Sequence, residues 1–184
     1  MVERRPQPYD PLWVARFEKE AILLRKILAP WLIDDIHHVG STSIPGMAAK
    51  PVIDMIAGVS DLEEARAAFE PLSALDYGYV DHRPDAHAFF KPPNRPNQWE
   101  HTHHLHLTVR GSDLWVERLA FRDALRADPA LVREYSDWKQ AHYGTNSKLS
   151  KRPFVMRVLA SQGVDLKPDD ERLSEAALRA RTNA

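Results

Sequence analysis

Apolar positions along this chain change their period several times, and each change predicts an element. Asp10-Pro11 reads as an N-cap followed by proline at the first helical position. Leu12, Val14, Phe17, Ala21, Leu24 and Leu28 then recur at roughly helical spacing, and Pro30 closes the segment. Residues 33–39 are short and β-branched, which predicts a strand. Residues 40–50 form a loop of Ser, Thr, Pro and Gly. Residues 52–59 are apolar with one charge, Asp54, and their length favours a strand over a helix. Asp61, with Glu64 three residues on, gives a capping-box pattern for a helix to about Leu72.

Residues 77–81 and 88–91 read as two short strands, followed by a surface loop over 92–100 that is rich in proline. Residues 102–109 alternate as a strand does. Ser112 caps a helix to about Arg126, and Asp128-Pro129 opens another to about Tyr143. Pro153 is expected in the first turn of a last helix through Ala160. The order of elements predicts an α+β fold: a small mixed sheet with helices on one face and a helical C-terminal part packed beside it. One domain over 1–164 is expected, with a sheet part at about 30–110 and a helical part at about 112–162. Residues 165–184 read as a peripheral helix or tail.

Composition narrows the function classes. The chain has 184 residues, 43% hydrophobic and 28% charged, which suits one folded domain over a disordered chain. A formal net charge of −1 gives no general attraction to nucleic acid or anionic lipid, so nucleic acid is an unlikely partner. The absence of cysteine excludes disulfides, thiolate-bound metals and thiol nucleophiles. No apolar run approaches the ~18 residues of a membrane span, and residues 1–10 lack a signal-peptide core; a cytoplasmic location and no membrane partner are expected.

The chemistry concentrates in residues 40–54. Gly40-Ser41-Thr42-Ser43-Ile44-Pro45-Gly46 follows a strand and offers backbone N–H groups near a glycine with three hydroxyls, the material of an anion-binding nest. Lys50 adds a point charge suited to phosphate. An ordinary Ser/Thr-rich turn is the plainer alternative. Asp54 interrupts an apolar strand, where a carboxylate is costly unless paired, hydrogen-bonded or bound to metal. It is either part of a metal–phosphate site or an aspartate satisfied by an arginine or a helix N-terminus. Several histidines, at 82, 101, 103, 104 and 106, cluster along the chain. By alternation His104 and His106 share the polar face of their strand, about 7 Å apart, while His101 and His103 fall on the other face and are weaker candidates. If that strand lies beside 52–59, then Asp54, His104 and His106 form a two-histidine, one-carboxylate set suited to a metal. Two exposed histidines on a half-buried sheet remain the alternative. Trp13, Phe17, Trp115, Phe121 and Trp138 sit at helical spacing and read as core.

Ordered motifs from about 8 to 160 resemble the GrpB family. They are Tyr9-Asp10-Pro11-Leu12-Trp13, the run from His38-Val39-Gly40-Ser41 through Lys50-Pro51-Val52-Ile53-Asp54, His103-His104-Leu105-His106-Leu107, and the run from Leu119 to Arg126. The resemblance implies a nucleotidyltransferase-like fold of the polymerase-β type. It implies that Gly40 and Ser41 hold the phosphates of a nucleotide and that Asp54 binds Mg2+. It also implies that the helical part supplies cations for a phosphate tail, Lys139 and Lys151 being candidates and Lys148 a solvated position. Val52 and Ile56 stand where such sites carry a second carboxylate, and His104 and His106 occupy the neighbouring strand; imidazoles shift metal preference toward Zn2+, Mn2+ or Fe2+. Three functions are therefore open: transfer of a nucleotidyl or phosphoryl group to a small molecule, non-catalytic binding of a nucleotide or phosphorylated metabolite, and metal-dependent hydrolysis of a phosphoester. Asp54, His104 and His106 are the catalytic candidates in the first and third.

Overall fold

The structure, a computed structural model, describes residues 6–81, 83–93, 100–142 and 147–167, with 147–150 described in their backbone alone. His82, the side chain of Lys148, most of the 92–100 loop and most of the 165–184 tail lie outside the described residues.

Helix α1 spans Leu12–Leu28. Asp10 opens it as expected: its Oδ1 accepts the N–H of Leu12 at 2.9 Å. The buried stripe is Trp13, Phe17, Glu20, Ala21, Leu24 and Leu28. Leu12 and Val14, expected within that stripe, are exposed instead, because a period of 3.6 anchored on Trp13 and Phe17 turns them outward.

Five strands form one sheet: β1 (Leu32–Val39), β2 (Ile53–Val59), β3 (Gly78–Val80), β4 (His87–Lys91) and β5 (His103–Val109), in the order β1-β2-β5-β4-β3. β2 and β5 run parallel at the centre, and every other neighbouring pair is antiparallel. The mixed sheet expected from the sequence is thus present. β2 is buried along nearly its whole length, as a central strand with few polar residues must be.

Alternation sorts the two faces. Ile53, Met55, Ala57 and Val59 of β2 and Leu105 and Leu107 of β5 join the α1 stripe and Leu72 in the main core. Between β2 and β3 the capped helix divides in two. Asp61 Oδ1 accepts the N–H groups of Glu63 and Glu64 at 2.7 and 2.9 Å, a 3-10 stretch covers Glu64–Ala68, and helix α2 covers Phe69–Ala74. Pro71 explains the division, since it cannot donate to the carbonyl four residues back and crowds it.

The opposite face is covered in part. Helix α3 (Asp113–Ala127) lays Leu114 and Trp115 on Val39, Ile56 and Ala86. Helices α4 (Pro129–Ala141) and α5 (Ser147–Ser161) complete the helical part. Pro153 lies inside α5 rather than in its first turn; Phe154 and Val158 on one side and Val155 and Leu159 on the other bury enough apolar surface to offset the lost bond. As expected, helices cover one face, α1 and α2, and the helical C-terminal part packs beside the sheet, α3 reaching part of the other face. Asp54 lies on that other face.

Candidate functional site

The loop after β1 is held from several directions. Gly40 sits at φ 70, ψ −176, a conformation that only glycine adopts without strain. A Cβ there would lie 2.9 Å from the Asp54 Cβ and 3.0 Å from its Cγ, so the missing side chain is what lets the aspartate stand beside the turn. Residues Ser41–Ser43 make a short 3-10 turn. Ser43 Oγ donates to Gly40 O at 2.7 Å, and Thr42 Oγ1 donates to Val52 O at 3.0 Å. With its proton so used, Thr42 accepts from His38 Nε2 at 3.0 Å, which fixes that imidazole's tautomer. Burial and the nearby Arg126 push His38 down to about 4, so it is neutral. It also stacks on Phe17, tying the loop to α1.

Beyond the turn, Ile44 and Met47 plug into an apolar cluster with Ala124 and Leu125 of α3, Tyr135 of α4 and Phe154 of α5. The helical part also reaches the loop with cations. Arg122 Nη1 donates to His38 O at 3.3 Å while its fork pairs with Asp123 at 2.7 and 3.0 Å. Arg126 Nε donates to Ser43 O at 3.0 Å. Lys139 Nζ donates to Ala48 O at 2.9 Å and to Ser41 Oγ at 3.3 Å. Burial pushes Lys139 down to about 8 and lowers Lys50, whose pKa the Asp54 charge raises in part.

Asp54 pairs in register with His104, as side-by-side β2 and β5 require. His104 Nδ1 lies 2.9 Å from Asp54 Oδ1, and a carboxylate can only accept, so that nitrogen carries the proton. His104 Nε2 in turn lies 3.0 Å from His101 Nδ1. Phe90 packs against both rings, with centroids 4.4 and 5.0 Å away. Burial raises the Asp54 pKa, but the His104 hydrogen bond and the charges of His104, His106 and Arg118 outweigh it, and the net direction is down. His106 stands level with Ile56, further along the same face. Burial first, then Arg118, holds it at about 3.

Of the residues expected at the site, the structure brings together Gly40, Ser41, Asp54, His104 and Lys139, with Lys50 close enough to act on Asp54 by charge and His106 further along the same face. The hydroxyls of Thr42 and Ser43 are turned into the protein. Lys151 stands on α5 beside Arg152, which pairs with Glu117 of α3 at 2.6 Å. Sequence reasoning missed two features. His101 precedes β5, so strand alternation does not govern it and its ring reaches His104. Arg118, Arg122 and Arg126, spaced four apart on α3, form one stripe, a signal readable in the sequence once the helix is assigned.

The donor set does not suit a resident divalent metal. Mg2+ seeks several oxygen ligands, yet on the β2 face Asp54 is followed by Ile56, and β5 presents histidines beside it. Both ring nitrogens of His104 are engaged, so His104 is not open to a metal in this arrangement. Among the described residues no cluster of three His, Cys, Asp or Glu side chains is placed to hold a metal ion. The strand bearing His104 and His106 does lie beside Asp54: His104 bonds to it and on to His101, and His106 stands further along the same face.

A mixed five-stranded sheet with a glycine turn after its first strand, a carboxylate on its second and cationic side chains reaching the turn from two helices defines an α+β protein. The chain belongs to the GrpB family: the model described as GrpB protein matches residues 6–159. YqkA of Bacillus subtilis is 37% identical over 138 residues, which make up 72% of this chain and 37% of YqkA, so the match spans little more than a third of that relative. A crystal structure described as conserved protein GrpB from Enterococcus faecalis superposes with a TM-score of 0.68 at 28% identity, covering 92% of this chain and 97% of that one. A structure of the Cid1 poly(U) polymerase with MgGTP bound gives a TM-score of 0.49 at 16% identity, over 75% of this chain and 47% of that one, a likeness that carries no argument. Among the described residues no helix is long and apolar enough to cross a membrane.

Proposed function

We propose that the protein binds a nucleotide or another phosphorylated small molecule by its phosphate groups, between the loop at 40–48, the Asp54 end of the sheet and helices α3 and α4. One observation carries the reading. Lys139 is brought from α4 to Ser41 and Ala48, so that a half-buried ammonium closes over a glycine turn. Ser41 accepts from Lys139 and keeps its own O–H to donate. Gly40 leaves the backbone bare for close approach. Holding a desolvated ammonium costs stability, and a phosphate at the turn would offset that cost. The resemblance of the family to nucleotidyltransferases points to the same ligand class.

The test is thermal unfolding with ATP, GTP, CTP and UTP, and with Lys139→Met. Ligand should raise the unfolding midpoint of the parent chain, since binding stabilises as RT ln(1 + [L]/Kd). Lys139→Met should gain about 1 kcal/mol without ligand, from the relieved burial of charge, and should lose the ligand response. No shift with any phosphorylated ligand would remove the reading.

A second reading, attack of an acceptor hydroxyl on the α-phosphorus of a bound nucleoside triphosphate with release of pyrophosphate, is favoured by the Asp54–His104–His101 chain. A carboxylate that fixes the tautomer of one imidazole, itself bonded to another, makes a path for taking up the acceptor's proton. Phosphorus NMR of the protein with nucleotide and a panel of hydroxylated acceptors tests it. Product formation lost in His104→Ala, with nucleotide binding kept, supports transfer; no product from the parent chain leaves the binding reading alone.

A further inference from the structure

We infer that the cleft takes an oligophosphate as the free polyanion rather than as its divalent-metal chelate, with Arg118 supplying the positive charge that a metal would otherwise bring. The inference rests on the reading that the cleft binds a phosphorylated ligand.

The charges around the cleft lead to it. Four cationic side chains, Arg118, Arg122, Arg126 and Lys139, belong to the α3–α4 face turned to the loop and the sheet, and two carboxylates, Asp54 and Asp123, accompany them. Asp123 is already matched by the fork of Arg122. Asp54 is committed to His104 through one oxygen, and its other oxygen is packed against Gly40. Buried His38 and half-buried His106 are neutral near pH 7. Positive charge is therefore in excess beside a turn whose hydroxyl and backbone suit phosphate.

Arg118 is the distinctive member. Its neighbours on the stripe are spent on protein carbonyls, Arg122 on His38 and Arg126 on Ser43. Among the described residues Arg118 makes no hydrogen bond and no ion pair, although it is half-buried and its charge acts on Asp54, His106 and Tyr135. Lys139 lies over the ring of that same Tyr135, 5.3 Å from its centroid. A guanidinium held in a half-buried place without a partner is suited to a bidentate anion such as a phosphate. A metal chelate would arrive with much of its charge cancelled and would find a single carboxylate, one oxygen of which is bonded to His104, whereas a free polyanion meets complementary charge.

Titration calorimetry on the full chain tests this, with inorganic triphosphate and with ATP, each in excess EDTA and in excess Mg2+. The expected result is binding in EDTA at least as tight as in Mg2+, for both probes. Arg118→Gln should weaken binding in EDTA by about tenfold or more, the loss of a charge-assisted hydrogen bond. Its unfolding midpoint should stay near that of the parent chain, because Arg118 bonds nothing in the described fold. Arg118→Lys should fall between the two, keeping the charge and losing the fork. Binding that appears with Mg2+ and vanishes in EDTA overturns the inference and leaves the proposed ligand class standing. Unchanged affinity in Arg118→Gln overturns it too. Absence of binding in both media removes the ligand class itself.

Discussion

At the scale of single residues, Asp54 and Gly40 act as one unit. The sequence marks Asp54 by its cost, a carboxylate inside an apolar strand, and marks Gly40 only as a loop glycine. Their interdependence is a contact between two strand ends 14 positions apart in the chain, visible once β1 and β2 are paired with Val39 opposite Asp54. Gly40→Ala should therefore do more than strain a turn. It should cost about 2–4 kcal/mol, from a backbone conformation closed to alanine plus a clash with the carboxylate. It should also disturb the bond from His104 to Asp54. Chemical denaturation gives the first quantity, and the histidine ring NMR signals report the second. A loss under 1 kcal/mol with unchanged His104 signals would show that the turn relaxes freely.

At the scale of elements, α3 and α4 convert local sequence signals into a site. Their caps are plain in the sequence and work as read. Ser112 Oγ accepts from Trp115 N at 3.3 Å, and Asp128 Oδ1 accepts from Ala130 N at 2.8 Å. The four-residue spacing of Arg118, Arg122 and Arg126 was equally available. What the spacing could not say is that one arginine would hold the end of β1, the next position the turn beyond it, and Arg118 neither. Docking of the helix against the loop decides that, through Ile44 and Met47. Asp128→Ala should cost about 1 kcal/mol and lower the unfolding midpoint by about 2–4 °C. It should weaken phosphate binding only slightly, because Lys139 sits at the far end of α4. A large loss of binding with intact stability would place Asp128 in the site instead of in the cap.

At the scale of the whole molecule, two histidines kept neutral by the fold tie stability to pH. His38 joins α1, β1 and the loop, and His106 lies on the central strand; they are held at about 4 and about 3. In the unfolded chain both would take up protons near pH 6.5. Between pH 6.5 and 4 the unfolded state thus binds more protons than the folded one, and stability falls as pH falls. Each group contributes up to about 1.4 kcal/mol per pH unit in that window. Urea midpoints across it should drop, and His106→Gln should flatten the drop. Midpoints that stay level from pH 6.5 to 4 would mean that these imidazoles charge without cost in the folded protein.

The chain alone determined the elements whose signals are local: the apolar run of β2, the alternation of β5, the caps of α1, α3 and α4, and the placement of His104 on the polar face. These follow from periodicity and from nearest-neighbour hydrogen bonding, which need no distant contact. Tertiary structure decided which strand lies beside Asp54, that His101 joins the chain to it, that Pro153 is carried inside α5, and that Lys139 reaches a serine 98 positions away. Those outcomes depend on pairing and packing between segments far apart in sequence. The free energy that selects them is spread over the core and is not written at any one position.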